Sequence, residues 1–150
     1  MSATGIPASL ADVFDGRRLA TKVGETMLLI AGPEPRVAAL SVGEVLVIGE
    51  RVGLLLYAGS RTTAAARETG RALLLGVADG GLVRIRLELS GSDAVAPSGR
   101  TALVGSVVEV ELDRVGYAQV TSGIRYELGD PATVVERWEH QIEALEEAMR

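Results

Sequence analysis

Between the apolar runs 54–58 and 72–77 the chain reads Gly59-Ser60-Arg61-Thr62-Thr63, followed by an alanine-rich stretch to Gly70. Three hydroxyls and a guanidinium are thus concentrated where a helix begins. The first backbone N–H groups of a helix lack intrahelical partners, and the macrodipole places partial positive charge there. Such a start can bind a phosphate with help from hydroxyls and an arginine. The same residues also suit a plain capped helix, with Ser60 as N-cap and Arg61 in solvent. Local chemistry leaves both readings open.

Other candidates are fewer. Ser41 ends a strand-like segment, where it faces either solvent or a ligand. Arg84 and Arg86 project from one side of an alternating segment, as either an anion-contacting pair or a solvated face, and Arg125 is similarly ambiguous. Glu109 and Glu111 alternate with Val108, Val110 and Leu112, which puts them on an outward strand face rather than in an acid–base dyad. Glu139, Glu143, Glu146 and Glu147 form a charged helix face. His140, the only histidine, falls nearly opposite the apolar side of the last helix and reads as a surface residue.

The elements that must position these residues follow from periodicity. Ser9 caps a predicted helix to about Arg18, with Leu10, Val13 and Phe14 on one side, and residues 1–8 read as a frayed end. Residues 26–31 and 36–41 read as a hairpin around Gly32-Pro33-Glu34-Pro35. Residues 45–48 and 52–58 read as a second, around Gly49-Glu50-Arg51. After the helix closed by Gly70 come strands over 72–77, 82–89, 104–112 and 123–128, with 90–100 as a loop. Asp130-Pro131 opens a C-terminal amphipathic helix over 131–149. Its seam is Val135, Trp138, Ile142, Leu145 and Met149. Seven or eight short strands without βαβ alternation predict a mainly β, α+β chain: a single domain over 1–150, closed as a small antiparallel barrel.

Composition narrows the function. The 150 residues are 47% hydrophobic and 23% charged, an ordinary globular mix with one core. A net charge of −5 and only five aromatic residues argue against nucleic-acid binding. With no cysteine and one histidine, thiolate chemistry, disulfides and His-based metal or triad chemistry are set aside. No apolar run approaches the roughly 20 residues of a membrane span, and the N-terminus has no basic-then-apolar leader, so a cytoplasmic protein without membrane or nucleic-acid partners is expected.

The hairpin, the strand, "SRTTAAARETGRALLLG" and the alternating strand after it resemble the pyridoxamine 5′-phosphate oxidase-like family of FMN-binding split barrels. There, a Ser-Arg-Lys turn precedes a short helix that closes with Asn-Pro and leads into an apolar strand. Ser60-Arg61 match the turn, Ala64–Gly70 the helix and Arg71–Leu75 the strand. "PRVAALSV" (35–42) is similar to the family's second strand. The resemblance covers roughly residues 8–128. Thr62 stands where the family often has lysine, and Thr69-Gly70 replaces Asn-Pro.

The resemblance implies a split barrel with FMN held at a homodimer interface, the flavin phosphate on Ser60, Arg61, Thr62 and Thr63, and Ser41 beside the ring. It implies oxidoreductase chemistry on a substrate left open, as is the choice among FMN, a deazaflavin and haem. The missing lysine keeps an alternative in place: a non-catalytic dimeric split-barrel module whose flavin site is weakened or lost.

Overall fold

The computed structural model describes residues 2–3, 5–90, 95–96 and 99–150. Strands β1 (Ser2–Ala3), β2 (Met27–Ala31), β3 (Arg36–Leu40), β4 (Val45–Ile48), β5 (Arg51–Tyr57), β6 (Arg71–Ala78), β7 (Gly81–Ser90), β8 (Val95–Ala96) and β9 (Arg100–Asp113) pair antiparallel throughout. Helices α1 (Ala8–Val13), α2 (Arg61–Thr69) and α3 (Pro131–Ala148) are added to them. The strand order is β3-β2-β6-β7-β9-β5-β4, with β1 and β8 both on β9. The two ends of that path, β3 and β4, are joined by only Ser41–Glu44. So short a link forces the sheet to curl round on itself, giving a split barrel.

Its interior is aliphatic. Met27, Leu29, Leu54, Leu74, Ile85 and Leu103 are fully or almost fully buried. Strand β5 is buried on both faces, one inside the barrel and the other under α3, which is why "VGLLL" carries no alternation. The seam of α3 lies on β4, β5 and β9, with Trp138, Ile142, Leu145 and Met149 buried and Val135 half-buried. Gly43 and Gly53 make this close approach possible. A methyl group at 43 would meet the Trp138 ring, and one at 53 the Met149 sulfur.

Several boundaries differ from expectation. The first helix stops at Val13 because Gly16 and Arg18 both take positive φ, and its N-cap is Pro7; the Ser9 hydroxyl instead donates to Asp79. Leu19–Lys22 forms a 3₁₀ turn instead. In the end read as frayed, Ser2–Ala3 lie on β9, whose edge they extend, while residues 1 and 4 fall outside the described residues. Strand β9 starts at Arg100, inside the predicted loop 90–100. Val95–Ala96 pair with it, and the rest of that loop up to 98 lies largely outside the described residues.

No strand forms over 123–128. This stretch is extended coil, held by Thr26 Oγ1 donating to the Ile124 carbonyl and by Arg125 pairing with Glu25 at 2.9 Å. Its apolar alternation serves to lay Tyr126 edge-on against Trp138, at 6.4 Å between ring centroids, without any ladder.

Candidate functional site

Helix α2 connects β5 to β6 and begins where the sequence places the hydroxyl cluster. Ser60 is the N-cap: its Oγ accepts the Thr63 N–H at 3.1 Å, and the two hydroxyl oxygens lie 2.8 Å apart. Thr63 is fully buried and its Oγ1 donates to the Tyr57 carbonyl at 2.6 Å. With that proton committed, Ser60 must donate to Thr63. Both hydroxyls are therefore held inside the cap and have no proton to offer an anion. What faces outward is the Arg61 side chain, the half-buried Thr62 hydroxyl, and the N–H groups of Arg61 and Thr62, which have no partner among the described residues. Gly70, at φ +67°, closes the helix by donating to the Ala66 carbonyl.

At the end of the β5–β9 ladder lies a pair that periodicity does not single out. Tyr57 and Arg100 face each other across the β5–β9 ladder. The guanidinium carbon stands 4.4 Å from the ring centroid of Tyr57, and Nη2 donates to the phenol oxygen at 2.7 Å. Arg100 is only 5% exposed, and its Nε is buried without a partner. The signal was an arginine opening an apolar run, which alternation alone does not separate from a loop residue.

Ser41 sits in the link between β3 and β4. Its N–H and hydroxyl both reach a Glu44 carboxylate oxygen, at 2.9 and 2.7 Å, and its Oγ accepts from the Gly43 N–H. It is buried and shapes the turn that closes the barrel.

A groove of about 710 Å³ runs along the other end of α2, lined by Gly32, Thr69, Arg71, Leu73, Arg86 and Val108, among others. Ala65 packs on Gly32 in its wall. Arg61, Ala65 and Thr69 are spaced i, i+4, i+8, so the open end of the helix and the groove share one helix face. The groove is continuous with an apolar outer surface of the sheet. Leu28, Ile30, Leu73, Leu75, Val77 and Leu82 are all half-exposed on it. Register places Val37, Ile30 and Leu73 in one row and Ala39, Leu28 and Leu75 in the next.

The remaining candidates are surface residues. Arg84 pairs with Asp113 at 3.1 Å and Arg86 with Glu109 at 3.4 Å. His140 is largely exposed, 3.8 Å from Glu143. Among the described residues no acidic or histidine cluster could hold a metal, and no helix is long and apolar enough to cross a membrane.

No family model matches the sequence. Uncharacterized protein YclD of Bacillus subtilis (strain 168) is 28% identical over 142 residues, covering 91% of this chain and 92% of that protein. A protein assigned to the pyridoxamine 5′-phosphate oxidases, from Lactobacillus delbrueckii, superposes with a TM-score of 0.52 at 11% identity. That match covers 73% of this chain and 95% of the other. An F420 reductase superposes with a TM-score of 0.50 at 10% identity, over 59% and 90% of the two chains. The chain thus carries the split-barrel fold of the pyridoxamine 5′-phosphate oxidase-like proteins.

Proposed function

We propose that the protein is a flavin-binding, oxidoreductase-like split barrel that acts as a cytoplasmic homodimer. The FMN phosphate sits at the start of α2 and the ring in the groove beside the helix's far end. The observation that carries this is the shared face of α2. Two unpartnered N–H groups and the Arg61 guanidinium lie at one end, and the groove lies about 12 Å further along at 1.5 Å per residue. That span suits a phosphate joined to a planar ring by a short polyol.

Fit to the cofactor is supported by chemistry. The groove's 710 Å³ lies in the usual range for small-ligand sites, its floor is apolar (Ile30, Leu73, Val108) and Arg71, Arg86 and Glu88 lie along it. Ser60 and Thr63 hold the helix start in shape, while Arg61, Thr62 and the backbone touch the phosphate. A bound flavin supplies the electron and hydride transfer; these residues bind and orient it. Ser41 acts by fixing the barrel's closing turn, at the end of β3 remote from the groove. The apolar outer face is the surface for the second copy, since patches of that kind on a lone chain are rare.

A second reading, a dimeric split barrel with a weakened flavin site, is favoured by Thr62 in place of lysine and by the inward-turned hydroxyls. Visible absorption of the purified protein, followed by an FMN titration read by flavin fluorescence, separates the two. Saturable binding lost in Arg61→Ala supports the flavoprotein. No binding at high micromolar FMN supports the module.

A further inference from the structure

We propose that residues 115–124, an arm that follows β9, dock in the groove of a second copy of this chain. Tyr117 then stands over the partner's Arg71 and walls the open side of the partner's groove. What that wall does for a flavin rests on the reading above; the docking itself does not.

The outer face of the sheet carries a projection at one end and a hollow at the other. Where β6 turns into β7, the chain leaving β9 crosses the strand ends as extended coil. Arg114 Nη1 donates to the Asp79 carbonyl at 3.2 Å and the Val120 N–H to the Gly80 carbonyl at 2.9 Å. A methyl group on Gly123 would lie 3.7 Å from Val77 Cγ2, and the Ile124 carbonyl accepts from Thr26 Oγ1. The arm is therefore tied down at both ends. Over residues 115–124 the Val120 N–H is the one backbone donor with a partner among the described residues. Tyr117 is 90% exposed, and Val115, Val120 and Ile124 are exposed with it. Four large side chains of this kind, fixed in place and uncovered on one short arm, make a surface suited to a partner.

The groove at the opposite end points to a second copy as that partner. Four strands at about 4.8 Å spacing and seven residues at about 3.3 Å give the apolar face a flat area of about 400 Å². That is about half of what each member of a stable pair buries, so the projection and the hollow must supply the rest. A two-fold axis crossing the strands at the Leu28–Leu75 row stacks the apolar strands of the two copies and reverses their direction. Levels equally far from that row then meet. The level of Thr26 and Val77, where Ile124 lies, faces the partner's Ile30 and Leu73. The level of Asp79 and Gly80, where Tyr117 lies, faces the partner's Arg71, which pairs with Glu88 in the β6–β7 register. Arg71 is exposed on the groove, and its guanidinium has no partner among the described residues. An aromatic face suits it. An axis along the strands would instead set the two arms against each other and leave both grooves unfilled.

The chain has no cysteine, so an introduced pair reports the docking directly. Within one chain Arg71 and the Asp79 turn that holds Tyr117 are about 26 Å apart at 3.3 Å per residue. A disulfide reaches only about 7 Å between Cα atoms, so a bond between the two positions joins two chains. Mild oxidation of the double variant Tyr117→Cys, Arg71→Cys should give a covalent dimer on a non-reducing gel, and neither single variant should. Self-linking of Tyr117→Cys alone would mean that the arms meet each other, which overturns the proposal. A double variant that is dimeric by light scattering but does not link overturns it too, as does a wild type that is monomeric at every concentration. If the first double variant does not fold, Ile124→Cys with Ile30→Cys carries the same comparison. Tyr117→Ala should raise the dimer dissociation constant about tenfold or more, as loss of an aromatic anchor does; an unchanged constant removes Tyr117 as the anchor. None of these readouts needs a cofactor. If the cross-link forms and wild type binds no FMN, the flavin reading fails and the docking stands.

Discussion

Gly43 lies so close under Trp138 that a methyl group at 43 would fall 2.1 Å from the indole Cγ and Cδ1. The Gly43 carbonyl also accepts from the buried Gln141 Nε2 at 2.8 Å. The link that closes the barrel is thus pinned from above by two residues of α3. Gly43→Ala should cost about 2–3 kcal/mol by overpacking. Urea unfolding should show a lower midpoint with an unchanged slope; a midpoint equal to wild type would mean α3 shifts freely.

The cap and the cradle should separate by mutation. Thr63→Val keeps the volume but removes the bond to the Tyr57 carbonyl and strands the Ser60 hydroxyl, with an expected loss of about 1–3 kcal/mol. Arg61→Ala changes an exposed side chain and should leave the melting temperature within a degree or two while weakening FMN binding at least about tenfold. Paired thermal melts and titrations decide it. Equal effects of both variants on stability and binding would show that the turn is structural only.

If the proposed dimer buries the outer face of β2 and β6, its leucines are sensitive to charge. Leu75→Asp places a carboxylate at the β6 end of the Ala39–Leu28–Leu75 row and should convert dimer to monomer while the far-ultraviolet spectrum stays native. Light scattering coupled to gel filtration reads this directly. A wild-type chain that elutes as a monomer at every concentration removes the dimer from the proposal.

Stability should fall at both pH extremes for identifiable reasons. Burial pushes the Asp15 carboxyl up, but the Lys22 hydrogen bond at 2.6 Å, the Arg17 N–H and the charges of Lys22 and Arg18 outweigh it and hold it below the ordinary range. Bonds from Thr133 likewise lower Asp130. With folded values depressed, their contribution is present above about pH 4 and lost as pH falls through the folded values. Tyr126 is the opposite case: burial raises its phenol, so its contribution holds below about pH 10 and is lost above it. Urea midpoints against pH should flatten at the acid end in Asp15→Asn and at the alkaline end in Tyr126→Phe. Because the Tyr126 hydroxyl is buried with at most a weak contact to the Gly24 backbone, Tyr126→Phe should change stability little at neutral pH.

Elements with their own periodicity or punctuation were legible in the sequence. Val45–Ile48, the clean alternation of β7, Ser60 and Gly70 as the two caps of α2, and Asp130-Pro131 opening α3 all lie where local rules put them. What failed depended on partners distant in the chain. Tyr126 and Leu128 alternate like strand residues but pack as a strap against α3, and Ser2–Ala3 become a strand only because β9 offers them an edge. At the candidate site the cap was legible, but the inward turn of its hydroxyls was not, since it depends on the Tyr57 carbonyl. Arg100 was hidden for the same reason: the phenol to which it donates is 43 residues away.

The fourteen-residue β9 has a bearing on how the protein is made. It pairs with β1, β5, β7 and β8, so it joins the first strand of the chain to the middle of the sheet. During synthesis the two early hairpins can form locally, but the barrel cannot close until residue 113 has left the ribosome. Trp138, Ile142 and Leu145, which cover β4 and β5, follow later still. Until then the apolar strands must wait exposed. A nascent chain stalled before β9 should therefore be bound by a holdase chaperone, and one released after α3 should not.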